Sequence, residues 1–186
     1  MQGLMQSVPL LVSGLLTHVA TAHPRRSIVS RLVDEPLFRY DYAALARRSA
    51  QAAHMMRRLD VGHGDRISSL GWNTHRHMEL MFAVPGMGAV LHTANPRLTD
   101  EQIAYTINHA ESSVLFYERS FADLVERLAP QLPEIRHYVM LSDDDRTIAG
   151  SVNAQSWESL IGQEPDQYDW PVLDENDAAF LCYTSG

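Results

Sequence analysis

Three stretches carry side chains that could do chemistry. The first is Tyr183-Thr184-Ser185-Gly186, which follows the apolar run AAFLC. Two hydroxyls, successive backbone N–H groups and a glycine that permits close backbone approach are what a phosphate-gripping turn needs. Each hydrogen bond to a charged oxygen contributes roughly 1.5–3 kcal/mol net, so several together hold a nucleotide. Four residues alone are more simply read as an ordinary turn after a strand. The second stretch is WNTHRH at 72–77, where two histidines, an arginine and an asparagine invite a metal or an anion. His75 and His77 are two apart, so on a helix they point in different directions, and Glu79 is the one nearby carboxylate. The plainer reading is a helix start, capped by Asn73 or Thr74, with solvated polar groups. The third is Asn95-Pro96-Arg97, a candidate binding loop that is also a normal way to leave a strand and begin a helix. The acidic run at 143–145 lacks a carboxylate ladder at calcium-loop spacing and reads as a solvated loop.

The elements that must position these groups alternate in type. RSIVSRLV at 26–33 reads as a strand, with LFRYDY as its hairpin partner or an edge piece. A helix is expected from Tyr42 to Leu59, with Asp41 as N-cap, Leu45, Ala52, Met56 and Leu59 on one side, and paired arginines on a solvated face. The turn VGHGD leads into the strand RISSLGW, and a second helix covers His75 to Val84, ending near Pro85 and Gly86. AVLHTA at 89–94 is a strand; Thr99-Asp100-Glu101-Gln102 has capping-box spacing, and Ile103, Ile107 and Ala110 continue that helix. SVLFYE, a helix from Ser120 to Leu128, HYVML at 137–141 and AAFLCY at 178–183 follow. Residues 142–176 read as a surface excursion with a short helix around Trp157 to Ile161. Apolar strands separated by helices of about ten residues imply an α/β fold, a mostly parallel sheet with helices on both faces. Right-handed crossovers gather the strand carboxyl ends, and hence the turns after Trp72, Thr93 and Tyr183, on one edge.

Composition narrows the classes. The 45% apolar and 20% charged content belongs to a globular chain, and 186 residues suit one domain. A net charge of −8 argues against general nucleic-acid binding. Cys182 is the single cysteine, which excludes an intrachain disulfide and a cysteine-based zinc site and suits a reducing compartment. The run VPLLVSGLLTHVATAHP ends in an Ala20-Thr21-Ala22 triplet that imitates a signal-peptidase site, yet no basic residue precedes it. Leu11, Leu15, Leu16 and Val19 recur at helical spacing, so an amphipathic helix is expected, too short and too polar to span a bilayer.

The order of these parts carries a resemblance. GDRISSLGWNTHRHMEL, then AVPGMGAVLHTANPRLTDEQIAY, then the terminal AAFLCYTSG are similar to the N-terminal region of adenylate-forming enzymes. Within that superfamily the chain looks most like the medium- and long-chain fatty-acid–CoA ligases, over nearly all its length and least at 142–172. The family's last motif continues as Y-T-S-G-T-T-G-x-P-K-G. The resemblance implies a two-step reaction: a carboxylate attacks the α-phosphate of ATP, giving acyl-adenylate and pyrophosphate, and the thiol of coenzyme A then displaces AMP. It implies that Thr184, Ser185 and Gly186 begin the ATP phosphate loop, with the Thr184 hydroxyl near Mg²⁺.

It also implies that residues 1–186 are the first α/β subdomain of an AMP-binding domain, with the rest of that domain and the C-terminal domain lying outside them. No catalytic residue then falls within this chain, none of the cofactors would bind it tightly, and the chain alone would be inactive. Relatives pair through this region, so a homodimer is implied, in the cytoplasm or peripheral to a membrane. Two alternatives stay open: a non-catalytic dimerisation or interaction module, and a ligase for an aryl or short-chain acid.

Overall fold

The computed structural model describes residues 3–4, 7–33, 36–143, 150 and 152–184. A helix, α1 (Val12–Ala22), precedes an antiparallel hairpin of β1 (Ser27–Ser30) and β2 (Phe38–Asp41). Helix α2 (Tyr42–Arg58) starts where the Asp41 carboxylate accepts the Ala44 N–H at 2.8 Å. The strands β3 (Arg66–Leu70), β4 (Val90–Thr93), β5 (Val114–Tyr117), β6 (His137–Met140), β7 (Ala154–Ser156) and β8 (Phe180–Leu181) form one sheet. Its order is β7-β6-β5-β3-β4-β8, and every pairing is parallel. Helices α3 (His75–Gly86), α4 (Asp100–His109), α5 (Ala122–Leu128) and α6 (Trp157–Ile161) make the crossovers and flanks.

Strand side chains alternate between the two faces, and the core divides accordingly. Ile67, Leu91, Val114, Phe116 and Val139 pack under Met55 and Met56 of α2, Leu80 and Val84 of α3, and Trp157 of α6. Leu70, Leu115, Tyr117 and Met140 pack under Ile103 and Ile107 of α4 and Val125 and Leu128 of α5. Both faces are covered, which is why VLFY of β5 is buried at all four positions. Between α3 and β4 the chain turns through Gly88 at φ +90°, where a Cβ would lie 2.7 Å from the His63 ring. Thr99 and Gln102 close the expected capping box at the start of α4.

Several expectations are corrected. β1 ends at Ser30, and AAFLCY contributes only Phe180 and Leu181 to the sheet. The 142–176 stretch is no surface excursion: β7 extends the sheet, and Trp157, Leu160 and Ile161 are buried in the core. Nor are the helical polar groups of WNTHRH solvated, because His75, Arg76 and His77 are all buried. Arg48 does not sit on a solvated face of α2. Its guanidinium grips two carboxylates, Glu79 of α3 (Nε–Oε1 2.7 Å) and Glu158 of α6 (Nη2–Oε1 2.7 Å).

That ion cluster is the densest polar feature of the interior. Glu79 is fully buried, bidentate to Arg48, and accepts the Trp157 indole N–H at 3.0 Å. Glu158 also receives Arg76 Nε at 3.0 Å, while Arg76 donates to the Leu141 carbonyl at 3.2 Å and pairs with Asp143. Burial raises the Glu79 carboxyl to about 7 against the pull of Arg48. Glu158 goes the other way: although burial alone would raise it, its bonds to Arg48 and Arg76 hold it below the usual carboxylate range.

Three buried histidines complete the polar interior. His75 stacks on Phe38 at 3.8 Å between ring centroids and is pushed down to about 3 by burial and the adjacent arginines. His92 falls to about 4 and His77 is lowered as well, both through burial.

Two outcomes are expected. Arg48→Met strands the buried Glu79 charge and should cost about 3–5 kcal/mol in denaturant unfolding. Adding Glu79→Gln, which removes that charge and keeps an amide for Trp157, should recover part of the loss; an Arg48→Met loss below about 1 kcal/mol would contradict this account. The second outcome concerns acid. The unfolded chain protonates its histidines near 6.5 whereas folded His75 and His92 stay neutral, so stability is lost as pH falls from 6.5 toward 4. Glu79 offsets part of this, since its raised value favours the folded state as pH falls from 7 to 4.5. His75→Phe should therefore reduce the stability difference between pH 7 and pH 5 by about 2 kcal/mol. An unchanged difference between the two urea midpoints would contradict it.

Candidate functional site

Because the strands run parallel, the turns after β3, β4, β5, β6 and β8 emerge along one edge of the sheet. From β3 the chain steps to β4 on one side, then crosses back over β3 to β5 on the other. Open α/β sheets bind ligands outside the carboxyl ends of their strands near such a reversal.

At the reversal itself the side chains are mainly engaged with one another. The Thr74 hydroxyl donates to Glu118 at 2.7 Å, both buried. Trp72, partly exposed, donates its indole N–H to Ser120 at 3.0 Å and packs on Phe121 with ring centroids 5.1 Å apart. His77 Nε2 lies 3.0 Å from the Ser69 hydroxyl. No group of three or more His, Cys, Asp or Glu able to hold a metal occurs among the described residues. From Thr74 to His77 the segment packs into the interior, while Trp72 and Asn73 are exposed. Asn95 and Arg97 do reach the carboxyl edge and are exposed, but the Asn95 Oδ1 accepts the Arg97 N–H at 3.0 Å. That closes an Asx turn, the structural role.

Thr184 stands differently. It follows β8 at the carboxyl edge beside β4, and it is exposed. Ser185 and Gly186 lie outside the described residues. The approach to Thr184 is built from both neighbouring elements. The Cys182 thiol lies 3.7 Å from the Thr93 hydroxyl. The Tyr183 hydroxyl lies 2.7 Å from His109 Nδ1, and its ring meets the His92 ring edge-on at 5.0 Å. His92 is itself fixed, Nδ1 to the Ser68 hydroxyl at 2.8 Å and Ser68 to Ser112 at 2.7 Å. Burial raises the Tyr183 phenol, which keeps it a neutral hydrogen-bonding group. Sequence reasoning named Thr184 but missed His92 and His109; a histidine inside the apolar run AVLHTA was the available signal for the first.

Chemically, this edge offers the exposed Thr184 hydroxyl to a ligand, with the engaged His92 and His109 behind it. No helix among the described residues is long and apolar enough to cross a membrane.

Known proteins resemble this chain in sequence and in fold. The chain is 37% identical over 187 residues to a 3-methylmercaptopropionyl-CoA ligase of Ruegeria lacuscaerulensis, covering 100% of this chain and 35% of that protein. It is 35% identical to a medium-chain-fatty-acid–CoA ligase of Ectopseudomonas oleovorans, again over 100% of this chain and 34% of the other. A long-chain-fatty-acid–CoA ligase of Thermus thermophilus is 40% identical over 171 residues, 92% of this chain and 30% of its own length. The chain therefore spans about a third of these curated relatives. Among solved structures, an anthranilate CoA ligase in complex with anthranoyl-AMP superposes with a TM-score of 0.82 at 17% identity, covering 100% of this chain and 34% of the other. A Mycobacterium tuberculosis fatty acyl CoA synthetase gives 0.76 at 20% identity, over 94% of this chain and 32% of the other. These two show the shared fold, and the expected α/β architecture holds. The family model described as AMP-binding enzyme matches residues 16–186, and the chain belongs to that family.

Proposed function

We propose that this chain is the amino-terminal α/β subdomain of an ATP-dependent fatty-acid–CoA ligase. In this reading Thr184, Ser185 and Gly186 open the loop that grips the ATP phosphates. The observation that carries it is the exposed Thr184 leaving β8 at the carboxyl edge, the second residue of the YTSG motif. Its hydroxyl is a hard oxygen donor of the kind Mg²⁺ accepts, and Mg²⁺ would neutralise phosphate charge there. The residues of this chain supply positioning and hydrogen bonds to phosphate. They do not supply the acid-binding tunnel or a catalytic lysine, so the 186 residues alone neither adenylate nor thioesterify. Homodimerisation through the N-terminal layer and a cytoplasmic or membrane-peripheral location belong to the same reading.

A second reading is a ligase for a short acid, favoured by the 37% identity to the 3-methylmercaptopropionyl-CoA ligase. One assay separates the two. The full-length protein carrying this chain is given ATP, Mg²⁺, coenzyme A and either octanoate, palmitate or 3-methylmercaptopropionate, and pyrophosphate and acyl-CoA are measured. The fatty acids should be the better substrates, and the 186-residue chain should release no pyrophosphate. Turnover with 3-methylmercaptopropionate alone would select the second reading, and none with any acid would reject both. Light scattering of the chain at high micromolar concentration should show a dimer; a monomer would remove the dimer from the proposal.

A further inference from the structure

The strand that delivers Thr184 is short and lies at the sheet edge. β8 has two residues in the ladder, paired to β4 as Leu91↔Phe180 and His92↔Leu181. So short a ladder leaves the direction of the following residues weakly determined. Side chains make up the difference. Tyr183, immediately before Thr184, reaches across to the last turn of α4, where its hydroxyl lies 2.7 Å from His109 Nδ1. Its ring is edge-on to both His92 (5.0 Å, 69°) and His109 (5.7 Å, 82°). Each partner is backed in turn: His92 by Ser68, and His109 by the Tyr105 ring, stacked at 5.6 Å. His109 and Tyr105 are exposed, so this contact lies at the margin of the core and contributes little apolar burial. What it does fix is the orientation of the peptide that enters Thr184.

We propose that Tyr183 and His109 are positioning residues for the phosphate loop: their hydrogen bond clamps the exit of β8 to α4 and thereby aims the Thr184 N–H and hydroxyl at the nucleotide phosphates. The inference rests on the ligase reading above. A donor held in place before the ligand arrives binds more tightly because less ordering remains to be done on binding.

The test uses Tyr183→Phe, which keeps the ring and removes the hydroxyl, His109→Ala, and the two combined. In this chain, amide hydrogen exchange at Cys182, Tyr183 and Thr184 should accelerate by about five- to tenfold in each variant, the scale of one hydrogen bond. In the full-length ligase the KM for ATP should rise by a similar, roughly five- to tenfold factor, with the KM values for acid and coenzyme A unchanged. The double variant should be no worse than either single one, since all remove one contact. His109→Gln, whose amide can still pair with the phenol, should restore part of the ATP KM.

Unchanged exchange in Tyr183→Phe would overturn the clamp. Faster exchange with an unaltered ATP KM would reduce the contact to edge-strand packing and overturn the positioning role. Equal rises in the KM of all three substrates, together with a lowered Tm, would mark a general folding defect and do the same. If the unsubstituted full-length protein activates no acid with ATP, the ligase reading and the positioning role fall together, and exchange alone then shows whether the clamp exists.

Discussion

The interior of this fold is organised around a carboxylate with no access to water. Glu79 of α3 faces α2 and α6 and is fully buried. A charge in that position is tolerable only if its oxygens are filled by donors of good geometry. Arg48 supplies two and the Trp157 indole a third. The requirement is reciprocal, because Arg48 has a second face to satisfy and takes Glu158, which then receives Arg76. One buried carboxylate thus dictates where α2, α3 and α6 sit with respect to one another. Hydrophobic packing among Met55, Met56, Leu80 and Leu160 would accept a sliding of one helix over another; the ion cluster does not, since a shift of an ångström leaves a charge unpaired.

The consequence reaches the functional edge through connectivity. α3 begins immediately after the turn that leaves β3, and Arg76 in its first turn donates to the Leu141 carbonyl just beyond β6. Thr74, at the N-cap position, binds Glu118 just beyond β5. Three strand exits are therefore tied to one another by buried polar contacts on the α2–α3 side. The exit of β8 lies on the opposite flank of β4, outside this cluster, and relies on His92 and α4 instead. The sheet edge has a rigid half and a half held by few contacts, and the residue with the exposed hydroxyl stands in the second.

Which features were legible from the residues follows from how local their causes are. The Asp41 cap and the Thr99–Gln102 box depend on atoms three positions apart, and both formed as read. The alternation of apolar strands with short helices was enough for the α/β class. The misreadings share one cause, distance along the chain. Arg48 looked solvated because its partners are 31 and 110 residues away. The short helix at Trp157–Ile161 formed as read, but it looked like part of a surface excursion because β7 is only three residues long and pairs with residues sixteen positions earlier. His75 looked exposed because its burial comes from Phe38, on a hairpin far upstream. No local pattern announces such partners.

The candidate site divides in the same way. Thr184 was singled out by a four-residue motif and by the order of elements before it, and it stands exposed at the carboxyl edge. The groups that hold its approach were not legible, since Tyr183 is 74 residues from His109 and the two meet only after β8 has docked beside β4. A motif of this kind states which atoms face a ligand, whereas their aim also depends on residues the motif does not contain, here His92 and His109. Phosphate recognition needs both, because hydrogen bonds weaken steeply once donor and acceptor are misaligned. A loop rich in hydroxyls is therefore only as selective as the strand exit that carries it, and here that exit is secured by side chains on two other elements.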